Sequence, residues 1–152
     1  GWLIRTITEI RSVRQDMNVP AAAKIKLLVK DANAETQARL KTYGEIIGRM
    51  ARIESIDMTS VVPKGSIQSV VDEATIILPI AEIIDLDKER DRLKKEIDKL
   101  NANIGKINQK LSDEKFVANA PAEIIAEQKS RRAENEAMLA KFSSALKQLE
   151  AA

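Results

Sequence analysis

The side chains best suited to chemistry in this sequence are lysines and arginines spaced to lie along one flank of a helix. They are Lys88, Arg92, Lys95, Lys99, Lys106 and Lys110. Steps of three, four and seven residues return to the same side of a helix, which turns once in about 3.6 residues. A row of such cations can neutralise a line of phosphates. The stripe therefore indicates a polyanion-binding surface, with an ordinary solvated helix as the alternative.

The carboxylates of the neighbourhood divide this stripe into two parts. Three of them lie near its first cations: Glu89, Asp91 and Glu96. At spacings of three or four residues they predict surface ion pairs, which contribute little. Between Asp98 and Asp113 there is no carboxylate, although this interval contains Lys99, Lys106 and Lys110. Cations without nearby acids are the ones that backbone phosphates attract.

Further candidates for contact with nucleic acid follow the stripe. The full set is Lys99, Lys106, Lys110, Phe116, Lys129, Arg131 and Arg132. Two interpretations of Phe116 remain open. With Val117 it can close the tip of a hairpin against Leu111 and Ile125, or its ring can stack on an exposed base.

Composition argues against catalysis and metal binding. The chain has 152 residues, of which 32% are charged and 3% aromatic, and it contains neither His nor Cys. It therefore lacks the commonest general base, thiolate ligands and disulfides. Its five glycines are scattered and form no phosphate-cradling loop. We predict no catalytic residue, no metal site and no cofactor in this chain. A net charge of only +2 means that attraction to a polyanion must come from the position of the charges.

The helix that carries the basic stripe also carries an apolar one. Its members are Leu93, Ile97, Leu100, Ile104, Ile107 and Leu111, in the alternating spacing of a coiled-coil seam. A second helix is predicted to return after a loop near Ala118, which pairs Leu93 with Phe142. Residues 85–152 are thus predicted to form a long antiparallel α-helical coiled-coil hairpin. Its distal half is weaker, because the returning seam there offers Gln128, Arg132 and Asn135 and the outgoing helix contains Gly105.

Residues 1–84 have a different character. Apolar periodicity predicts helices over 2–17 and from Asp31 or Asn33 to about Gly48. Alternation predicts strands over 24–30, 51–57, 67–71 and 74–80. Pro79 suggests that the last strand lies at an edge. The expected fold is α+β, a small mixed or antiparallel sheet with two helices, followed by the hairpin. The expected domains are therefore 1–84 and 85–152.

Three stretches in order resemble a known family, the C-terminal region of valyl-tRNA synthetase. They are IRSVRQDMNVP at 10–20, DLDKERDRLKKE at 85–96 and KFVANAP at 115–121. The resemblance implies that the first helix closes an anticodon-binding domain and that a terminal coiled coil rests against the tRNA elbow. ATP and magnesium would belong to the parent enzyme, because its His-Ile-Gly-His-like and Lys-Met-Ser-Lys-Ser-like motifs have no counterpart here.

Taken together, the sequence predicts a tRNA-binding appendage of valyl-tRNA synthetase. The expected partners are the elbow of tRNA(Val) and the remaining domains of a parent enzyme, since the chain begins at Gly1 inside a predicted helix. The chain is expected to be monomeric and cytoplasmic, with no membrane span or signal peptide. The alternative is a coiled-coil module for protein–protein interaction. The affinity of such a module for a partner helix would depend little on salt concentration.

Overall fold

The computed structural model describes residues 1–152. Its helices are α1 (Trp2–Asp16), α2 (Ala34–Ala51), α3 (Leu86–Ser112), α4 (Glu114–Asn119) and α5 (Ala122–Ala151). Its strands are β1 (Ile25–Lys30), β2 (Ile53–Met58), β3 (Ser66–Val71) and β4 (Ala74–Pro79). The chain divides into two compact units, Gly1–Glu89 with Gln148–Ala152, and Arg90–Lys147.

The first unit is built on a four-stranded mixed sheet with the order β2-β1-β4-β3. β1 and β2 run parallel because α2 crosses over between them, whereas the other neighbours are antiparallel. Alternate residues of β1 are buried, and so are Ile76, Ile77 and Leu78 in succession on β4. Such a continuous buried run is typical of a strand covered on both faces. The expected α+β class with a mixed sheet is confirmed.

The predicted edge position of the last strand is wrong. β4 lies between β1 and β3, so it is an interior strand. Pro79 is tolerated because it is the last residue of β4 and pairs with Ser66, while the pairing with β1 involves only Thr75 to Ile77. The N–H that proline lacks is therefore not needed for the pairing of β4 with β1.

Helix α1 buries Ile10 and Val13 and ends at Asp16. Met17, which follows it, is also buried, and Asn18 then adopts a positive φ of 55°. Helix α2 is capped by Asn33, whose side chain accepts a hydrogen bond from the Thr36 N–H at 2.9 Å.

Helix α2 does not stop near Gly48, as the sequence suggested, but continues to Ala51. Gly48 fulfils a packing role instead. A Cβ at this position would lie 3.2 Å from the carbonyl oxygen of Ile53, so glycine allows the strand that follows to approach the helix closely.

Burial along α3 follows the apolar stripe that was predicted from the sequence. Asp85 caps α3, since its Oδ1 accepts from the N–H groups of Asp87 at 3.1 Å and Lys88 at 3.2 Å. Leu93, Leu100 and Ile107 are buried at seven-residue intervals. The other seam positions of α3, Ile97, Ile104 and Leu111, are half-buried. The buried face of α3 therefore repeats every seven residues.

The predicted loop near Ala118 is instead the short helix α4. Asp113 begins it, because its side chain accepts from the N–H groups of Lys115 at 3.0 Å and Phe116 at 3.4 Å. Phe116 is half-buried, whereas Val117 leaves 42% of its surface exposed. Of the two residues expected to close the tip, Phe116 alone is substantially covered.

Candidate nucleic-acid interface

Three of the predicted binding residues converge on one shallow groove of the second unit. Lys106 and Lys110 reach it from α3, one helical turn apart, and Arg131 reaches it from α5. The groove has a volume of about 250 Å³. Its remaining lining residues are Asn103, Ile107, Gln128, Glu134 and Asn135. Buried Ile107 and Gln128 give the groove a floor, with the cations around it.

Charge in this groove is unbalanced. Lys106, Lys110 and Arg131 are exposed, and none of them makes an ion pair within the chain. Glu134 is the one carboxylate among the lining residues. Lysine offers a mobile point charge, whereas the arginine fork can hold two phosphate oxygens at once. This arrangement can bind phosphate, and the amides beside it can donate further hydrogen bonds.

The other predicted residues lie outside the lining of this groove. Nζ of Lys99 is 4.0 Å from Oε1 of Glu96, an exposed pair one turn apart. Nη1 of Arg132 donates to Oδ1 of Asn108 at 3.0 Å, which joins α5 to α3. Lys129 is exposed and makes no ion pair, while Phe116 belongs to α4.

Sequence reasoning missed the polar lining of the groove. It treated Gln128 and Asn135 only as weak points in an apolar seam, yet both line the groove beside the cations. Asn103 was overlooked altogether. Its position gave a usable signal, because it precedes Lys106 by three residues and Lys110 by seven, so the three share one flank of α3.

No group of three or more His, Cys, Asp or Glu side chains in the structure could hold a metal ion. A search of the helices for an apolar stretch long enough to span a bilayer also finds none. Apart from Glu134, the polar side chains that line the groove are cations and amides.

The part of the chain that contains the groove matches a known family. Residues 85–150 fit the family model described as the valyl tRNA synthetase tRNA binding arm. This part of the chain is therefore similar to the arms that the family model describes.

Similarity to individual proteins extends over nearly the whole chain. The chain is 44% identical to the valine–tRNA ligase of Agrobacterium fabrum over 146 residues, which cover 96% of this chain and 15% of the relative. The enzymes of Granulibacter bethesdensis and Gluconobacter oxydans are 43% and 42% identical over 97% and 99% of this chain. The predicted resemblance to the C-terminal region of valyl-tRNA synthetase is confirmed. The chain spans 15 to 17% of the length of these relatives.

Proposed function

We propose that this chain is the tRNA-binding C-terminal appendage of a valyl-tRNA synthetase. Its task is to hold the substrate so that domains elsewhere in the parent enzyme can read the anticodon and charge the 3′ end with the help of ATP and magnesium. The observation that carries the proposal is the cluster of Lys106, Lys110 and Arg131, which have no ion pairs and lie within the matched arm. Holding a substrate in place lowers the entropic cost of the reaction that follows.

We assign residues 85–152 to an antiparallel coiled-coil hairpin formed by α3 and α5, and residues 1–84 to the α+β unit with the last helix of the anticodon-binding region. The hairpin is supported by the heptad-spaced burial on α3 and by the hydrogen bond from Arg132 to Asn108. The shared lining of the groove supports it as well. Paired helices would give the cations a stiff platform.

The ligand we assign to the groove is the backbone at the elbow of tRNA(Val). Contacts to phosphates fix the position of an RNA and carry no sequence information. Preference for tRNA over other polyanions would then come from its shape, read by several cations at fixed spacing. We expect the isolated chain to act as a monomer in the cytoplasm.

A coiled-coil module for protein–protein interaction is the second candidate. It is favoured by two exposed apolar side chains on α5, Ile124 and Met138, which are 39% and 47% exposed. They lie two heptads apart, so both face the same side of the helix. A partner helix could cover them.

A titration of the chain separates the two functions. A tRNA transcript and a DNA duplex of equal length would each be titrated at two salt concentrations, with binding followed by fluorescence anisotropy. We expect tighter binding to tRNA and a steep loss of affinity with salt, since each neutralised phosphate contributes about 0.7 to 0.9 to the slope. Equal affinity for both nucleic acids, or no binding to either, would contradict the proposal.

A further inference from the structure

A second cationic groove lies in the first unit, between the C-terminal ends of α1 and α2. It has a volume of about 240 Å³ and contains three arginines and no carboxylate. Its lining residues are Arg11, Arg14, Gln15, Val19, Ala21, Met50, Ala51 and Arg52. Part of its lining comes from the Ile10–Pro20 stretch, which is one of the three stretches that carry the family resemblance. This stretch lies outside the arm, so the proposed role of the arm does not account for it.

Arg14 is the structural member of this groove. Its side chain is buried and donates to the carbonyl oxygens of Pro20 at 2.9 Å, Ala23 at 2.7 Å and Arg52 at 3.4 Å. These bonds tie the loop after α1 to the turn after α2. Burial, together with the charge of Arg52, lowers the pKa of Arg14. The charges of Arg14 and Arg52 are therefore close enough to repel each other.

Arg11 and Arg52 are the exposed members. Neither makes an ion pair or a side-chain hydrogen bond. The backbone of Arg52 is fixed, because its N–H donates to the Gly48 carbonyl and its own carbonyl accepts from Ile25 at 3.1 Å. The position of this side chain is therefore set by the fold, while its guanidinium remains available to a ligand.

The helix ends do not balance this charge. The C-terminus of a helix carries about half a negative charge, so the ends of α1 and α2 together supply about one negative charge. The three guanidinium groups carry three positive charges. An adjoining groove, between α2 and β2, adds Lys24 and Arg49 together with Glu45 and Glu54. Lys24 and Arg49 are offset there by Glu45 and Glu54, so the unbalanced positive charge is that of the first groove, which is open rather than enclosed.

We infer that Arg11 and Arg52 contact backbone phosphates of the same tRNA that the arm binds, so that the α+β unit has an RNA contact of its own. This inference rests on the proposed function. A guanidinium pairs with a phosphate through two parallel hydrogen bonds, and two exposed guanidiniums on one open groove suit a chain of phosphates. A free phosphate would be better held by an enclosed pocket.

The test compares Arg11→Gln/Arg52→Gln with the control Lys41→Gln/Lys64→Gln, which removes the same charge from exposed sites outside this groove. Arg14 is left intact because it braces the fold. A slope of log affinity against log salt of about 0.7 per phosphate means that each lost contact weakens binding roughly fivefold at 0.1 M salt. Loss of two contacts should therefore weaken binding roughly 25-fold. We expect that loss of tRNA affinity, and a salt slope flatter by about 1.4 to 1.8, in the arginine variant alone.

A hydroxyl-radical footprint on the tRNA separates this inference from the proposed function. Arg11→Gln/Arg52→Gln should lose one protected segment, and Lys106→Gln/Lys110→Gln/Arg131→Gln should lose another. If the arm variant alone weakens binding, the second groove is not an RNA contact and the inference falls. If the arginine variant alone weakens binding, the arm's role falls while the inference stands.

Two further measurements keep the inference testable. Should the double variant lower the melting temperature, Arg11→Gln alone, an exposed change on α1, must still weaken tRNA binding roughly fivefold, and unchanged affinity overturns the inference. Inorganic phosphate at millimolar concentration and constant ionic strength should not displace the tRNA from this groove. Loss of the Arg11-dependent protection at that concentration would show a site for free phosphate instead.

Discussion

Phe116 has two possible roles, packing within the tip of the arm and stacking on a base of the tRNA. It is the aromatic residue of the tip helix α4, and it is half-buried, so part of its ring packs and part faces solvent. The substitution Phe116→Leu keeps an apolar group while removing the π-face. If the ring only packs, both the melting temperature and the affinity for tRNA should be almost unchanged.

We expect the opposite result, a loss of affinity at constant stability, because stacking on an aromatic ring contributes about 1 to 3 kcal/mol per base. Calorimetry and a tRNA titration on the same preparation measure the two quantities. Unchanged affinity together with an unchanged melting temperature would assign Phe116 to packing.

Glu73 shows how a single exposed carboxylate fixes a turn. One of its oxygens accepts the Asn33 N–H at 3.0 Å and the other accepts the Thr36 hydroxyl at 3.2 Å. The bond from Asn33 is the main cause that lowers the pKa of Glu73 below its ordinary value of 4.5. A carboxylate whose pKa is lower in the folded state stabilises the fold at pH values above its unfolded pKa. This contribution is lost as the pH falls through the lower pKa of the folded state.

The free energy of unfolding of Glu73→Gln should therefore decline less than that of the unmodified chain below about pH 4.5. Denaturant titrations across the acid range measure it. Glu82→Gln is the control, because Glu82 is exposed and makes no hydrogen bond or ion pair. Identical pH profiles for the two variants would contradict this account.

Among the elements, α3 allows the clearest comparison of the two ends of one seam. Leu93 is fully buried, whereas Ile107 lies under a groove that is open to solvent. Leu93→Ala should cost about 2 to 4 kcal/mol of stability, because the vacated space remains a cavity. Ile107→Ala should cost less, because water can enter the space. Equal costs in urea unfolding would show that the seam is packed equally at both positions.

The sequence predicted these elements well where one local signal dominated. Alternation located all four strands, and heptad spacing located the buried face of α3. It failed at Pro79 because the neighbours of β4 are distant in sequence. It also missed the short helix α4, although the cap that Asp113 provides is local.

The candidate site was predictable in part for the same reason. Lys106 and Lys110 share a helix face by spacing alone, whereas Arg131 joins them only through the packing of α5. The groove at Arg11 and Arg52 could not be found from spacing, since it depends on a contact between residues far apart in the chain.

For the molecule as a whole, the account predicts a division of labour within the parent enzyme. Removal of residues 85–152 from a full-length synthetase should leave valine activation intact, because the sequence predicts no catalytic residue in this segment, and should weaken the charging of tRNA. Pyrophosphate exchange reports the first step and aminoacylation the second. Equal loss of both activities would mean that the arm stabilises the catalytic body instead of holding the substrate.

The most direct test of the central claim is the affinity of Lys106→Gln/Lys110→Gln/Arg131→Gln for tRNA as a function of salt. Lys94→Gln/Lys95→Gln/Lys147→Gln is its control, with the same charge removed from exposed positions outside the groove. We predict roughly 100-fold weaker binding at 0.1 M salt and a slope flatter by about 2 to 3 in the groove variant, with little change in the control. Equal affinities and equal slopes for the two variants would contradict the claim that this groove binds tRNA.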